Sequence, residues 1–374
     1  MSKHFWPGFP ILATAAVIAA VAWTQTPRED VPAEVRPLVS SPTVPPTMAQ
    51  CADCHQDICN QFRSASHGQT LWSGTDPKAM AKFEGQSASW PADGTQLRFV
   101  RDGDSLYLEC EGRPQRSRVD WFFGSGHHAI TPVSLQLNPA GESEMRQLSL
   151  SWYPDVGLAP TLGQDGESAV PAGMAALGEW LDHAETTSCF GCHTTHFPLE
   201  HGQILEAEVI PGISCVRCHY DAAKHLESGG QVDGILERWA SLTPRESINR
   251  CGECHRRADQ MTELDKAPNR PELVRFASVG LVLSPCFLGQ DESGSNQPPV
   301  RLDCLSCHDP HHAMQTDRTA YKSVCISCHA RQEPFAPMCP SHPTSSDCLS
   351  CHMPTLKTDA NLRFTDHWIR VREQ

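Results

Sequence analysis

The chain has 374 residues, 39% of them hydrophobic and 20% charged, which excludes both a disordered polymer and a protein embedded throughout in lipid. Its 44 acidic against 30 basic side chains give a formal charge of −14, which repels polyanions and excludes nucleic acid as a partner. The 18 cysteines and 19 histidines are an unusual load, and their spacing decides the reading.

Residues 1–23 read as a signal peptide or membrane anchor. Lys3 supplies a positive end, Ile11 to Val21 is a small-apolar run broken by Thr14, and Ala20-Val21-Ala22 offers a small-x-small cleavage site. The run falls short of the about 20 apolar residues a spanning helix needs. Either form places the remainder in an exported compartment, periplasmic or on the outer face of the cytoplasmic membrane. Residues 24–47 carry Pro27, Pro32, Pro37, Pro42, Pro45 and Pro46 and read as an extended linker.

At Cys51-Ala52-Asp53-Cys54-His55 comes a pattern, Cys-x-x-Cys-His, that returns at Cys189–His193, Cys215–His219, Cys251–His255, Cys304–His308, Cys325–His329 and Cys348–His352. Chance would give about 0.04 such pentapeptides in a chain of this composition. Two thiols three positions apart reach the two vinyl groups on one porphyrin edge, and the next imidazole is carried under the ring to the iron. This is the attachment pattern of a c-type haem. Zinc accepts Cys-x-x-Cys pairs without demanding a histidine after each, and a thioredoxin-like dithiol occurs once, beside a βαβ unit. Seven covalently attached haems c are therefore expected. Their thioether residues are Cys51, Cys54, Cys189, Cys192, Cys215, Cys218, Cys251, Cys254, Cys304, Cys307, Cys325, Cys328, Cys348 and Cys351. Their proximal ligands are His55, His193, His219, His255, His308, His329 and His352.

Residues 48–94 form the first haem segment, with a helical run from Asp57 to Ala65 ahead of Ser66-His67-Gly68. Across 95–155 alternation replaces helical spacing: Leu97 to Val100 and Leu106 to Leu108 flank Asp102-Gly103-Asp104, a hairpin signal. Val119 to Phe123, Ile130 to Leu137 and Leu148 to Tyr153 read as further strands, with His127 and His128 presented on a glycine-rich loop between them. Residues 156–374 read as helical segments punctuated by six haem motifs, and Thr243-Pro244-Arg245-Glu246 is a capping-box start. The fold class expected is a mainly α and irregular multihaem cytochrome c fold with a haem-filled core and a small inserted antiparallel β module. Cys59, Cys110, Cys286 and Cys339 belong to no motif; three pairings are open, of which Cys286–Cys339 is preferred because it brackets one part of the chain.

Eleven histidines remain as candidates for the distal face of the irons: His67, His127, His128, His183, His196, His201, His225, His311, His312, His342 and His367. His225 and His311 sit so close in sequence to proximal His219 and His308 that neither can bend over its own haem, so each is expected to serve a neighbour. His67 follows the first helical run, and His367 pins the C-terminal segment. These four are the preferred ligands, then His127 or His128, then His196 or His201.

The chain resembles exported multihaem cytochromes of the cytochrome c-554 and hydroxylamine-oxidoreductase-like group. The resemblance rests on Ser66-x-Gly68 around His67, Phe123-Gly-Ser-Gly-His127, the Gly212 to His219 motif with His225, Cys307-His-Asp-Pro-His311, Cys351-His-Met-Pro354 and Thr365-Asp-His-Trp368. It implies stacked haem pairs, mostly bis-histidine irons and an electron conduit. The expected function is electron transfer between redox partner proteins, or from a membrane quinol-linked complex, with a tether through the N-terminus. The alternative is an oxidoreductase acting on a small nitrogen or sulfur compound at one five-coordinate haem, that of Cys189–His193. The chain carries no Cys-x-x-Cys-Lys variant and only four tyrosines.

Overall fold

The computed structural model describes residues 44–91, 93–164, 175–233, 238–263, 266, 271–292, 301–329, 347–359 and 361–372. The export segment, most of the proline-rich linker, Cys339 and His342 lie outside the described residues, and with Cys339 lies the preferred disulfide.

Helix α1 (Met48–Phe62) opens on Thr47, whose hydroxyl accepts from the Gln50 N–H while the Gln50 side chain accepts from the Thr47 N–H at 2.9 Å. Such a cap contributes about 1 kcal/mol and fixes where the helix begins. It therefore fixes which way Cys51 and Cys54 face. The chain then runs through β1 (Leu71–Ser73), α2 (Pro77–Met80), β2 (Ser87–Ser89), β3 (Gln96–Asp102), β4 (Ser105–Cys110), β5 (Arg116–Arg118) and β6 (Trp121–Phe123). It continues through β7 (Thr131–Leu137), β8 (Ser143–Leu148), β9 (Leu150–Tyr153), β10 (Gly157–Pro160) and β11 (Gly178–Leu181).

These strands make a four-stranded sheet, β2-β3-β4-β5, a five-stranded sheet, β1-β6-β7-β8-β11, and the β9–β10 ribbon, with every pairing antiparallel. The β3–β4 hairpin turns where its sequence signal lay, with Asp102 opposite Ser105 and Gly103 at φ 61, a conformation a glycine adopts without steric cost. Leu97 and Phe99 of β3 and Leu106 and Leu108 of β4 alternate into one core. There Phe83 meets Phe99 and Phe122 with ring centroids 5.0 and 5.2 Å apart.

After the sheets come α3 (His183–His193), β12 (Thr194–His196), β13 (Leu199–Glu200), β14 (Gln203–Ile204), β15 (Ile210–Pro211), α4 (Ala222–Glu227) and α5 (Pro244–His255). The last elements are α6 (Ala277–Val282), α7 (Pro285–Glu292), α8 (Arg318–His329), α9 (Cys348–His352), β16 (Thr355–Lys357) and β17 (Arg363–Thr365). Phe190 of α3 is fully enclosed against Trp121 and Phe123 of β6, at 6.0 and 5.3 Å between ring centroids, and this seats the second motif on the five-stranded sheet. Burying such a ring contributes about 2 kcal/mol.

The architecture is mixed, which corrects the expectation of a mainly α chain. Sheet strands run from Leu71 to Leu181, flanking the alternating region on both sides. The added strands are three or four residues long, too short to show a period of two, and they pair with distant partners, Leu71 with Phe123 and Leu181 with Met145. No helix among the described residues is long and apolar enough to cross a membrane.

Candidate haem-attachment sites

Each motif sits where a helical turn stops. Helices α3, α5, α8 and α9 end on His193, His255, His329 and His352, and α1 leaves helical geometry at His55 (φ −114, ψ 40). The third and fifth motifs occupy 3₁₀ turns, Cys215–Arg217 and Cys304–Ser306. A helical turn puts residues three apart on one side, so both thiols share a face and the histidine follows at the rim. The starts are set by side-chain caps. Asp182 accepts from the Glu185 N–H at 2.9 Å, Thr243 from the Glu246 N–H at 3.2 Å, and Asp347 from the Leu349 N–H at 3.1 Å.

Thiols of different motifs lie near one another. As free thiols, Cys51 hydrogen-bonds with Cys215, Cys192 with Cys254 and Cys251 with Cys304. Cys218 lies beside Cys251 and Cys254, Cys307 beside Cys325, and Cys325 beside Cys348. Burial keeps most of them protonated, pushing Cys189 up to about 11 and Cys218 up to about 12. Cys254 goes the other way, to about 7, because the Cys192 thiol donates to it and Arg217 lies near. Arg217 also donates to the Gly191 carbonyl at 2.8 Å, joining the second and third motifs.

Four pairs of imidazoles face one another across a constant gap. Ring centroids are 6.3 Å apart for His55 and His225, 6.1 Å for His67 and His255, 6.2 Å for His219 and His311, and 6.2 Å for His308 and His367. A ring nitrogen bonds a transition metal at about 2 Å and the ring centre lies about 1 Å behind it, so two imidazoles on opposite sides of one metal have centres about 6 Å apart. The residues fit a six-coordinate haem iron at each of the four.

The second nitrogens are positioned for the same purpose. His225 Nδ1–H donates to the Gln231 carbonyl at 2.7 Å, His367 Nδ1–H to the Thr365 carbonyl at 2.9 Å, and His311 Nδ1–H to Asp309 Oδ1 at 2.9 Å. Each bond commits Nδ1 as the donor and leaves the Nε2 lone pair for a metal. Burial also holds the rings neutral. His255 is pushed down to about 4, first by burial and then by His67, His367, His193 and His308 around it, and burial lowers His67, His219, His308 and His367 as well.

The other predicted positions lie elsewhere. His193 donates from Nδ1 to the Thr70 carbonyl at 2.9 Å, and Phe123 packs edge-on against its ring at 5.1 Å. His352 donates likewise to the Arg370 carbonyl at 3.1 Å, while His329 closes α8. His127 and His128 touch each other at 4.6 Å between ring centroids, and His128 also packs on Phe364. Burial and the neighbouring His127 push His128 down to about 4. His196 is 2% exposed in β12, and its buried Nε2 has no hydrogen-bond partner among the described residues. His201 sits at the tip of the β13–β14 hairpin with φ 50, and His183 opens α3 with Nδ1 on the Ser143 carbonyl at 3.0 Å.

Sequence reasoning passed over Thr70, Gln231, Thr365 and Asp309, which aim the imidazoles. Asp309 and Thr365 carried a local signal, standing in Cys-His-Asp-Pro-His and Thr-Asp-His-Trp. Cys59 lies against Cys215 and Cys51, and Cys286 beside Cys307, Cys325 and Cys328, so both spare cysteines sit next to haem-motif thiols.

Two family models match the chain, the doubled CXXCH motif over residues 298–334 and cytochrome c554 and c-prime over residues 164–220. No curated protein sequence matches it. The crystal structure of the outer cell wall cytochrome OcwA is similar in fold, with a TM-score of 0.51 at 14% identity, covering 86% of this chain and 78% of that one. Repeated Cys-x-x-Cys-His motifs and two cytochrome c family matches support a multihaem c-type cytochrome with covalently bound haem.

Proposed function

We propose that the chain is a seven-haem electron conduit working on the exported side of a membrane. The observation that carries this reading is the set of four facing imidazole pairs. A bound c-type haem supplies a reversible one-electron exchange at its iron. The facing imidazoles would offer a bound haem two neutral nitrogens in either oxidation state, so little of the chain would need to rearrange when an electron passes. Gln231, Thr365 and Asp309 keep the rings of His225, His367 and His311 from rotating away.

The thiol contacts support a continuous route. Cys51 with Cys215 brings the first and third motifs together, Cys218 with Cys251 and Cys254 the third and fourth, and Cys251 with Cys304 the fourth and fifth. Cys307, Cys325 and Cys348 extend it through the sixth to the seventh, and Cys192 with Cys254 adds the second motif as a branch. Electrons would enter and leave at the branch ends, through redox partner proteins or a membrane quinol-linked complex, with residues 1–23 as export signal or tether. The likeness to an outer cell wall cytochrome accords with export.

EPR of the oxidised, haem-loaded protein tests the reading, recorded with and without nitrite and hydroxylamine. Low-spin signals from at least four irons, unmoved by either compound, are expected. Fewer than four low-spin irons removes the ligand assignment. A high-spin signal that shifts with either compound makes the protein an oxidoreductase instead.

A further inference from the structure

Among the described histidines with a bonded Nδ1, the acceptor is a backbone carbonyl at His183, His193, His225, His352 and His367. His311 differs. Its Nδ1–H donates to a carboxylate oxygen, Asp309 Oδ1, at 2.9 Å, and its backbone N–H donates to the same oxygen at 2.9 Å. The second carboxylate oxygen lies 3.4 Å from His312 Nε2. Asp309 is thus clamped by its own turn in one orientation. The ring it holds faces His219 at 6.2 Å with the two planes only 11° apart.

A carboxylate on Nδ1 draws that proton toward itself and gives the imidazole part of the character of an imidazolate, a stronger donor at Nε2 than a ring bonded to a neutral carbonyl. A stronger donor stabilises the ferric over the ferrous iron. We propose that Asp309 is a positioning residue acting through His311, and that it makes the haem of Cys215, Cys218 and His219 the lowest in potential of the four with facing imidazoles. This rests on the assignment of His311 as a ligand. Since the third motif meets the first where Cys215 hydrogen-bonds Cys51, and lies near the fourth where Cys218 feels Cys251 and Cys254, the haem it lowers stands between them. An electron passing from one side to the other must climb onto it, so Asp309 sets the resistance of the route without touching an electron carrier.

The test is a spectroelectrochemical redox titration of the full, haem-loaded chain and its Asp309→Asn variant. Asparagine keeps an oxygen for both His311 donors and removes the charge. The expected result is that about one-seventh of the haem amplitude leaves the low-potential end of the curve and moves upward. Over the same steps the rhombic low-spin EPR signal of the near-parallel ligand pair should follow that fraction, and Asp309→Glu should return it. Superimposable curves for the wild type and a folded, fully loaded Asn variant overturn the proposal.

Should the variant not fold, near-infrared magnetic circular dichroism of the unmutated oxidised protein decides the matter. One low-spin haem with an imidazolate-like charge-transfer band is expected, and bands all at neutral bis-imidazole energy overturn it. His311→Ala separates the two layers of the argument. An unchanged spectrum there removes the ligand assignment itself, whereas a changed one beside an unmoved Asp309→Asn curve removes only the role of Asp309.

Discussion

Replacing His225 by alanine isolates one facing pair. His225 stands on α4, near the third motif, yet its ring lies 6.3 Å from that of His55 in the first. With one haem on each of the seven motifs, as proposed, the substitution takes one axial ligand from one iron, so about one-seventh of the haem should convert from low-spin to high-spin, leaving total haem unchanged. It also removes the 2.7 Å bond from Nδ1 to the Gln231 carbonyl, which stiffens the turn after α4. The ring is only half-buried, so no large cavity opens, and the fold should lose about 1 kcal/mol from that bond. EPR spin quantification on the oxidised protein measures the first effect and urea unfolding the second. Added imidazole should restore the low-spin fraction by occupying the place of the lost ring. A variant that stays wholly low-spin, or one whose high-spin fraction imidazole leaves alone, would refute the pairing of His225 with the first motif.

Gly212→Ala should disturb a different iron. Gly212 has φ +76, and a Cβ there would meet the Gly68 carbonyl oxygen at 2.4 Å, a backbone atom beside His67 that cannot swing away. A cost of about 2 kcal/mol or more and partial loss of low-spin haem at the His67–His255 pair are expected; a variant with wild-type unfolding and spectrum would show that this contact does not position His67. Acid should release buried imidazoles. His255 is pushed from 6.5 to about 4 by burial, so between those values the unfolded chain binds a proton there that the folded chain refuses, and stability falls as pH falls through that window. Low-spin haem should convert to high-spin over the same range, and a spectrum unaltered down to pH 4 would contradict it.

The parts of this structure that local chemistry dictates could be read directly. Thr243, Pro244 and Glu246 announce the start of α5, Gly103 announces the β3–β4 turn, and seven pentapeptides announce the haem edges. Each of the four preferred histidines lies about 6 Å, ring centre to ring centre, from the histidine of a Cys-x-x-Cys-His motif; for His225 that motif is the first and for His311 the third, not the one just before each in sequence. Which motif each would face was not legible, since that depends on how separate segments cross. The extent of the sheets was hidden for the same reason. β11 enters beside β8 through Gly178, where a Cβ would meet the Gln147 carbonyl oxygen at 2.2 Å, and nothing around Gly178 in sequence names that distant strand. His196 and His201 looked equivalent as candidates, yet pairing with β15 encloses one and a hairpin tip exposes the other.

The crossing of histidines between segments also imposes an order of events on a chain made from one end. His55, His219 and His308 all precede the rings they face, and those rings arrive only with residues 225, 311 and 367. His255 alone finds its partner, His67, already synthesised. A haem attached to the first motif as it emerges would therefore stay five-coordinate, and open to stray ligands, while the β module and two more motifs are still being delivered. Completion of its iron reports that the third motif has arrived and folded against the first. The latest of these checks in chain order is set by Asp366-His367-Trp368, so a chain cut before His367 would keep all seven attachment motifs and still betray the loss in the spectrum of the fifth.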